Sequence, residues 1–144
     1  MILLAIDPGK CKCGLVLADS AKREVCKALV IESKFLIQYV RETQNEYSEL
    51  SVIIGNGTSS DGYIKQFGFL NKKVFVVDES NSTLLARERY FEIFPARGIK
   101  RILPKGLIVS NLNLDAISAL VILEKYSEFK YNFCKEVDPK TWRK

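Results

Sequence analysis

The sequence predicts an α/β domain built on a mixed sheet of about five strands with helices on both faces. Three observations predict it. Three strand-type apolar runs crowd together before Glu32, separated only by short turns. The hydrophobic pattern then switches, and apolar runs alternate with stretches of helical periodicity. Finally, 144 residues at 47% hydrophobic and 27% charged make one ordinary domain with enough apolar material for a core.

The elements follow in order. Ile2 to Ile6 is a continuous apolar run stopped by Asp7-Pro8-Gly9, the pattern of a strand buried on both faces. Gly14 to Ala18 and Val25 to Ile31 read as two more strands, joined through Asp19-Ser20 and Lys22-Arg23-Glu24. Connections this short make an antiparallel meander, because a parallel crossover takes a dozen or more residues. Ser33 is placed to cap a helix that carries Leu36, Ile37, Tyr39 and Val40 and runs to about Asn45.

Leu50 to Ile54 is a strand ending in Gly55-Asn56-Gly57, followed by a helix over about Asp61 to Leu70 and a strand over Val74 to Val77. Asp78 to Ser82 lead into a helix from about Thr83 to Phe94, closed by Pro95, with Ser82 and Thr83 read as its caps. Arg87 and Arg89, near Glu88 and Glu92, read as a solvated face of that helix. Residues 95 to 112 form a long connection without a strong period. Asn113 is placed to cap a last helix from Leu114 to about Phe129, apolar from Ala116 to Leu123 except for Ser118. The order is βββαβαβαα, with a domain over residues 1–129 and a basic, partly disordered tail over 130–144.

Composition narrows the chemistry. There is no histidine, so no Ser-His-Asp triad, Cys-His pair, HExxH zinc site or histidine base is available. No apolar run reaches the length of a membrane span, and the opening Met1 to Ile6 is too short for a leader. These features place the expected protein in the cytoplasm, away from membranes, with Cys11, Cys13, Cys26 and Cys134 as reduced thiols, most of them small buried hydrophobes. Cys11-Lys12-Cys13 lacks the second paired motif of a structural zinc site. A net charge of +5 permits a polyanionic partner without demanding one.

Three acidic residues stand where an acid is costly or oddly placed. Asp7 ends the strand that ought to be central, Glu79 follows a buried-type strand, and Asp115 opens the most apolar helix. Strand ends and a helix start can converge on one sheet edge, where three carboxylates would repel unless a hard cation such as Mg²⁺ or Mn²⁺ neutralised them. Each also has a structural explanation: a turn for Asp7, solvation for Glu79, the helix dipole for Asp115. Asp78, beside Glu79, is the alternative ligand at a one-residue shift.

Gly55-Asn56-Gly57-Thr58-Ser59-Ser60 follows a core strand, where amides and hydroxyls can meet a phosphate; a plain turn fits as well. Arg97, Lys100, Arg101 and Lys105 lie in a stretch with no acid between Glu92 and Asp115, a pattern suited to phosphate contacts or simply to a solvated loop.

Asp7-Pro8-Gly9 with Gly14 resembles the opening signature of the YqgF/RuvX family, which are Holliday-junction resolvases of ribonuclease H-like fold. Asp78-Glu79-Ser80-Asn81-Ser82-Thr83 is similar to that family's acidic element at the end of a core strand. Leu114-Asp115-Ala116-Ile117-Ser118-Ala119 resembles the start of its final helix. The matches come in family order and cover about residues 1–127.

The chain departs from the family in Lys10-Cys11-Lys12-Cys13, and in a glycine-rich segment from Gly55 closer to the YqgF-type domain of Tex-like proteins. RuvC-type resolvases carry a second acid where this chain has Ser118.

The resemblance implies a Mg²⁺- or Mn²⁺-dependent nuclease with Asp7, Glu79 and Asp115 as catalytic and metal-binding residues. It implies branched DNA or precursor ribosomal RNA as partner; the residues expected to contact it are Lys10, Lys12, Thr58, Ser59, Arg97, Lys100, Arg101 and Lys105. Junction resolvases generally act as dimers, because a symmetric junction needs two cuts, so a homodimer comes with that reading. The alternative is a non-catalytic nucleic-acid-binding module of the same fold.

Overall fold

A computed structural model of the chain describes residues 1–71, 73–95, 114–134 and 137. Its meander comprises β1 (Ile2–Asp7), β2 (Lys12–Asp19) and β3 (Glu24–Glu32), paired antiparallel in sequence order. Then come α1 (Leu36–Glu46), β4 (Ser51–Gly55), α2 (Ser60–Gln66), β5 (Val74–Val77) and α3 (Ser82–Ile93). Past the undescribed segment lie α4 (Asp115–Ser127) and β6 (Asn132–Phe133). The sheet runs β5-β4-β1-β2-β3-β6, with β4 parallel to β1, β5 parallel to β4, and β6 parallel to β3. This is the mixed α/β architecture that the ribonuclease H-like resemblance implies, with six strands in place of about five.

β1 is central because both its faces are apolar. Leu3 and Ala5 join Val16, Ala18, Val25 and Ile53 in a core under α3 and α4. Leu4 and Ile6 point the other way, into a second core with Leu15, Leu17, Leu36, Val40 and Phe67. Eight consecutive residues of α4, Ala116 to Leu123, are buried, so the helix is covered on all sides by β1, β2, β4 and α3. No described helix is long and apolar enough to cross a membrane.

Several local expectations are corrected. Ser33 does not cap α1; its hydroxyl donates to the Gly9 carbonyl at 2.8 Å and begins a separate 3-10 turn. Asn81, in left-handed conformation (φ 63°), precedes α3, so Ser82 and Thr83 lie in the first turn and make no side-chain cap at its head. Of the four cysteines only Cys13 is buried; Cys11, in the turn before β2, and Cys26, on β3, are exposed and Cys134 is half-buried.

The stretch given to a tail begins with ordered structure. Tyr131 is 1% exposed, and β6 extends the sheet beyond β3. Residues 135–136 and 138–144 of the tail, and residues 96–113, including Asn113, lie outside the described residues.

Arg89 explains why the chain stays docked past residue 129, and it is no solvated residue. Its guanidinium donates to both Glu124 carboxylate oxygens at 2.9–3.2 Å, to Glu92 at 3.0 Å and to the Tyr131 carbonyl at 2.9 Å. Glu124 in turn accepts the Tyr131 N–H at 2.9 Å. The Arg89 and Glu124 side chains are only 13% and 12% exposed, so the pair exchanges little with water. A lysine cannot reproduce this planar fork. Arg89→Lys is therefore expected to cost about 1–3 kcal/mol, read as a lower urea midpoint. An unchanged midpoint would contradict that role.

Candidate active site

Strand alternation sets the first carboxylate. Leu3 and Ala5 face α4, so Asp7, the next residue of that parity, faces it too at the carboxyl end of β1. Asp7 pairs with Gly14 on β2, and on its other side Ile6 pairs with Ile54, which brings Gly55 level with Asp7. The carboxyl ends of parallel strands are where open α/β sheets gather functional groups.

The glycines on either side of Asp7 let the other two acids approach. A Cβ on Gly14 would run into the backbone carbonyl of Asp115, so the missing side chain is what seats the first turn of α4 directly on the sheet. On the other side, a Cβ on Gly55 or on Gly57 would strike a carboxylate oxygen of Glu79. Gly55-Asn56-Gly57 is thus a cradle for Glu79, reached from β5 two residues past Val77.

Asn56 holds this loop and the Asp78-Glu79 segment together. Its N–H donates to the Val77 carbonyl at 2.9 Å, its Oδ1 accepts the Glu79 N–H at 3.0 Å, and its amide donates to Asp78 at 3.3 Å. Asp78 and Glu79 consequently face opposite ways. Asp78 is exposed, hydrogen-bonded by Ser80, and lies beside Lys125, which also donates to the Asp78 carbonyl at 2.7 Å. Those partners hold the Asp78 carboxyl below its usual range, Ser80 first. Glu79 turns inward, and its Oε2 is buried without a hydrogen-bond partner among the described residues.

The electrostatics are those of acids crowded together. Asp7 is pushed from 3.8 up to about 6 by burial, then by the charges of Glu79 and Asp115; a hydrogen bond from Ser118 offsets part of this. Burial also pushes Glu79 up, with Asp78 adding to it. Ser118 is one helical turn along α4 from Asp115, the single polar residue in the buried run of that helix. Its isolation among apolar neighbours was the available sign of a partner. Asn56 and Lys125 carried no such sign.

Three oxygen-donor side chains from three elements, one with an orphaned buried oxygen, have the chemistry of a hard divalent-cation site. The side chains do not already close around a point. Among the described residues, no three His, Cys, Asp or Glu side chains stand close enough together to hold a metal ion.

Four other expected residues flank the same end of the sheet. Lys10 and Lys12 are exposed at the β1–β2 turn, while Thr58 is exposed and Ser59 half-buried between β4 and α2. Ser60 is committed to the loop itself, its hydroxyl donating to the Gly57 carbonyl at 2.7 Å. Arg97, Lys100, Arg101 and Lys105 lie outside the described residues.

Among solved structures, the chain is similar to T. thermophilus RuvC in complex with Holliday junction substrate. The TM-score is 0.48 and the identity 14%, over 89% of this chain and 95% of that one. No family model and no curated protein matches the chain.

Proposed function

We propose that the protein is a divalent-cation-dependent nuclease that hydrolyses phosphodiester bonds in structured nucleic acid. The observation that carries this reading is the convergence of Asp7, Glu79 and Asp115 on one sheet edge, with a buried Glu79 oxygen that lacks a partner among the described residues. Asp7, Glu79 and Asp115 would hold Mg²⁺ or Mn²⁺, which when bound supplies an activated water and charge stabilisation for the leaving oxygen. Ser118 orients Asp7, and the Gly55-Asn56-Gly57 cradle holds Glu79 at the end of β5. No histidine is required by such chemistry, and none is present.

Lys10, Lys12, Thr58 and Ser59 are proposed phosphate contacts beside the carboxylates, with Arg97, Lys100, Arg101 and Lys105 extending that surface. Contacts of this kind grip the backbone without reading bases, so shape rather than sequence selects the substrate. Holliday junctions and precursor ribosomal RNA are the proposed substrates, and a homodimer would suit the two cuts of a symmetric junction.

The test is incubation with Mn²⁺ and a panel of four-way junctions, duplex DNA, single strands and precursor ribosomal RNA. Cleavage of a branched or folded substrate, dependent on Mn²⁺, is expected. Binding without cleavage across the panel would overturn the reading in favour of a non-catalytic nucleic-acid-binding module.

A further inference from the structure

Two of the four cysteines stand side by side on neighbouring strands near the edge of the sheet, away from the carboxylates. β6 pairs in parallel with β3, Val25 standing opposite Phe133. One rung further, the Cys134 N–H donates to the Val25 carbonyl at 3.2 Å, which makes Cys26 and Cys134 the next residues in register. Val25 is buried in the core under α3 and α4, and Phe133 packs against that same core. Cys134, next to Phe133, therefore faces the opposite side of the sheet, and Cys26, at a β-bulge where β3 slips against Leu17 and Ala18, lines the cleft on that same side with Lys27 and Tyr39.

Neighbouring strands lie about 4.8 Å apart, inside the roughly 4.4–6.8 Å Cα separation that a disulfide spans. Both thiols are free; Cys26 is exposed and Cys134 half-buried. Burial is the largest cause raising the Cys26 thiol pKa, and Cys134 leads the neighbouring charges that add to it, an independent sign that the two are close.

We propose that Cys26 and Cys134 are a redox-responsive pair that closes into an intramolecular disulfide and fastens the C-terminal strand to the sheet edge. The oxidant is a low-molecular-weight disulfide of the glutathione type. The Cys26 thiolate attacks one of its sulfurs, breaking that S–S bond and releasing one small thiolate. Cys134, its proton lost to solvent, then attacks the Cys26 sulfur and expels the second small thiolate. Two protein thiols are oxidised and one small disulfide is reduced to two thiols.

The bond would lie three residues beyond Tyr131, whose backbone is already held by Arg89 and Glu124. While oxidised, it would lock in place a cover over β3 that rests on a two-residue strand. Cys11 and Cys13 do not compete for either partner, since they flank Lys12 at the other end of the sheet.

The experiment treats the full chain with oxidised glutathione at mildly alkaline pH, counts thiols after denaturation, and maps linked peptides by mass spectrometry. The free thiols are expected to fall from four to two, with a Cys26–Cys134 cross-linked peptide. The melting temperature is expected to rise and to return on adding dithiothreitol. Cys134→Ser is expected to retain a glutathione adduct on Cys26 and to show no such rise. Four thiols remaining free, or a link that maps to another pair or between chains, would overturn the proposal.

Discussion

Asp7→Asn is expected to stabilise the cation-free protein above pH 6 while reducing cleavage to background. Asp7 is pushed from 3.8 to about 6 in the folded protein, chiefly by burial and then by Glu79 and Asp115. A carboxyl whose folded pKa exceeds its unfolded one holds its proton longer in the native state. Its stabilising contribution is thus complete below about pH 4, declines as pH rises toward 6, and is absent above. At 1.36 kcal/mol per unit, the charge costs the fold about 3 kcal/mol at neutral pH.

Asparagine keeps the shape and removes the charge. The variant is expected to melt up to roughly 10 °C higher at pH 8, with the difference shrinking toward pH 4. A site that sacrifices stability for a cluster of like charges is the signature of function over folding. Denaturation of both proteins at pH 4 and pH 8 checks this. A variant no more stable than the parent at pH 8 would contradict the crowding of charges.

Gly14→Ala is expected to destabilise the fold by about 3 kcal/mol and to lower activity in whatever protein remains folded. The new methyl would enter the backbone carbonyl of Asp115, which cannot swing aside as a side-chain tip would. Relief requires moving the first turn of α4, and that helix is buried over eight consecutive residues against the sheet and α3. The same displacement carries Asp115 away from Asp7. Gly62→Ala is the control, because a Cβ there meets nothing of the described residues within 4 Å. Being inside α2, it is expected to be neutral or to stabilise by about 0.5–1 kcal/mol. Urea midpoints for the two variants decide the point; equal midpoints would show that Gly14 does not set the seating of α4.

Much of this was legible in the sequence because its signals are local. Continuous apolar runs and tight turns identify β1, β2 and β3, and the uninterrupted Ala116 to Leu123 marks a helix sealed on all sides. What could not be read depends on partners distant in the chain. Arg89 shows Glu92 three residues away, but its defining partner is Glu124, 35 residues on. β6 is two residues long and has no pattern of its own; it forms where that ion pair holds Tyr131. The choice between Asp78 and Glu79 is a question of parity at a strand end. The direction each faces is set by Asn56, more than twenty residues earlier. Ser33 had the composition of a helix cap, yet the Gly9 carbonyl across the sheet claims its hydroxyl.

The central claim is that Asp7, Glu79 and Asp115 together hold a divalent cation, and calorimetric titration of Mn²⁺ at pH 7.5 tests it most directly. The parent is expected to bind saturably, and Asp7→Asn, Glu79→Gln and Asp115→Asn each to weaken binding. The loss should be at least the tenfold that follows from disturbing a mere outer-shell partner. Asp78→Asn, whose carboxylate faces outward to Ser80 and Lys125, is expected to bind as the parent does. A parent that takes up no Mn²⁺, or three variants that bind it undiminished, would contradict the account.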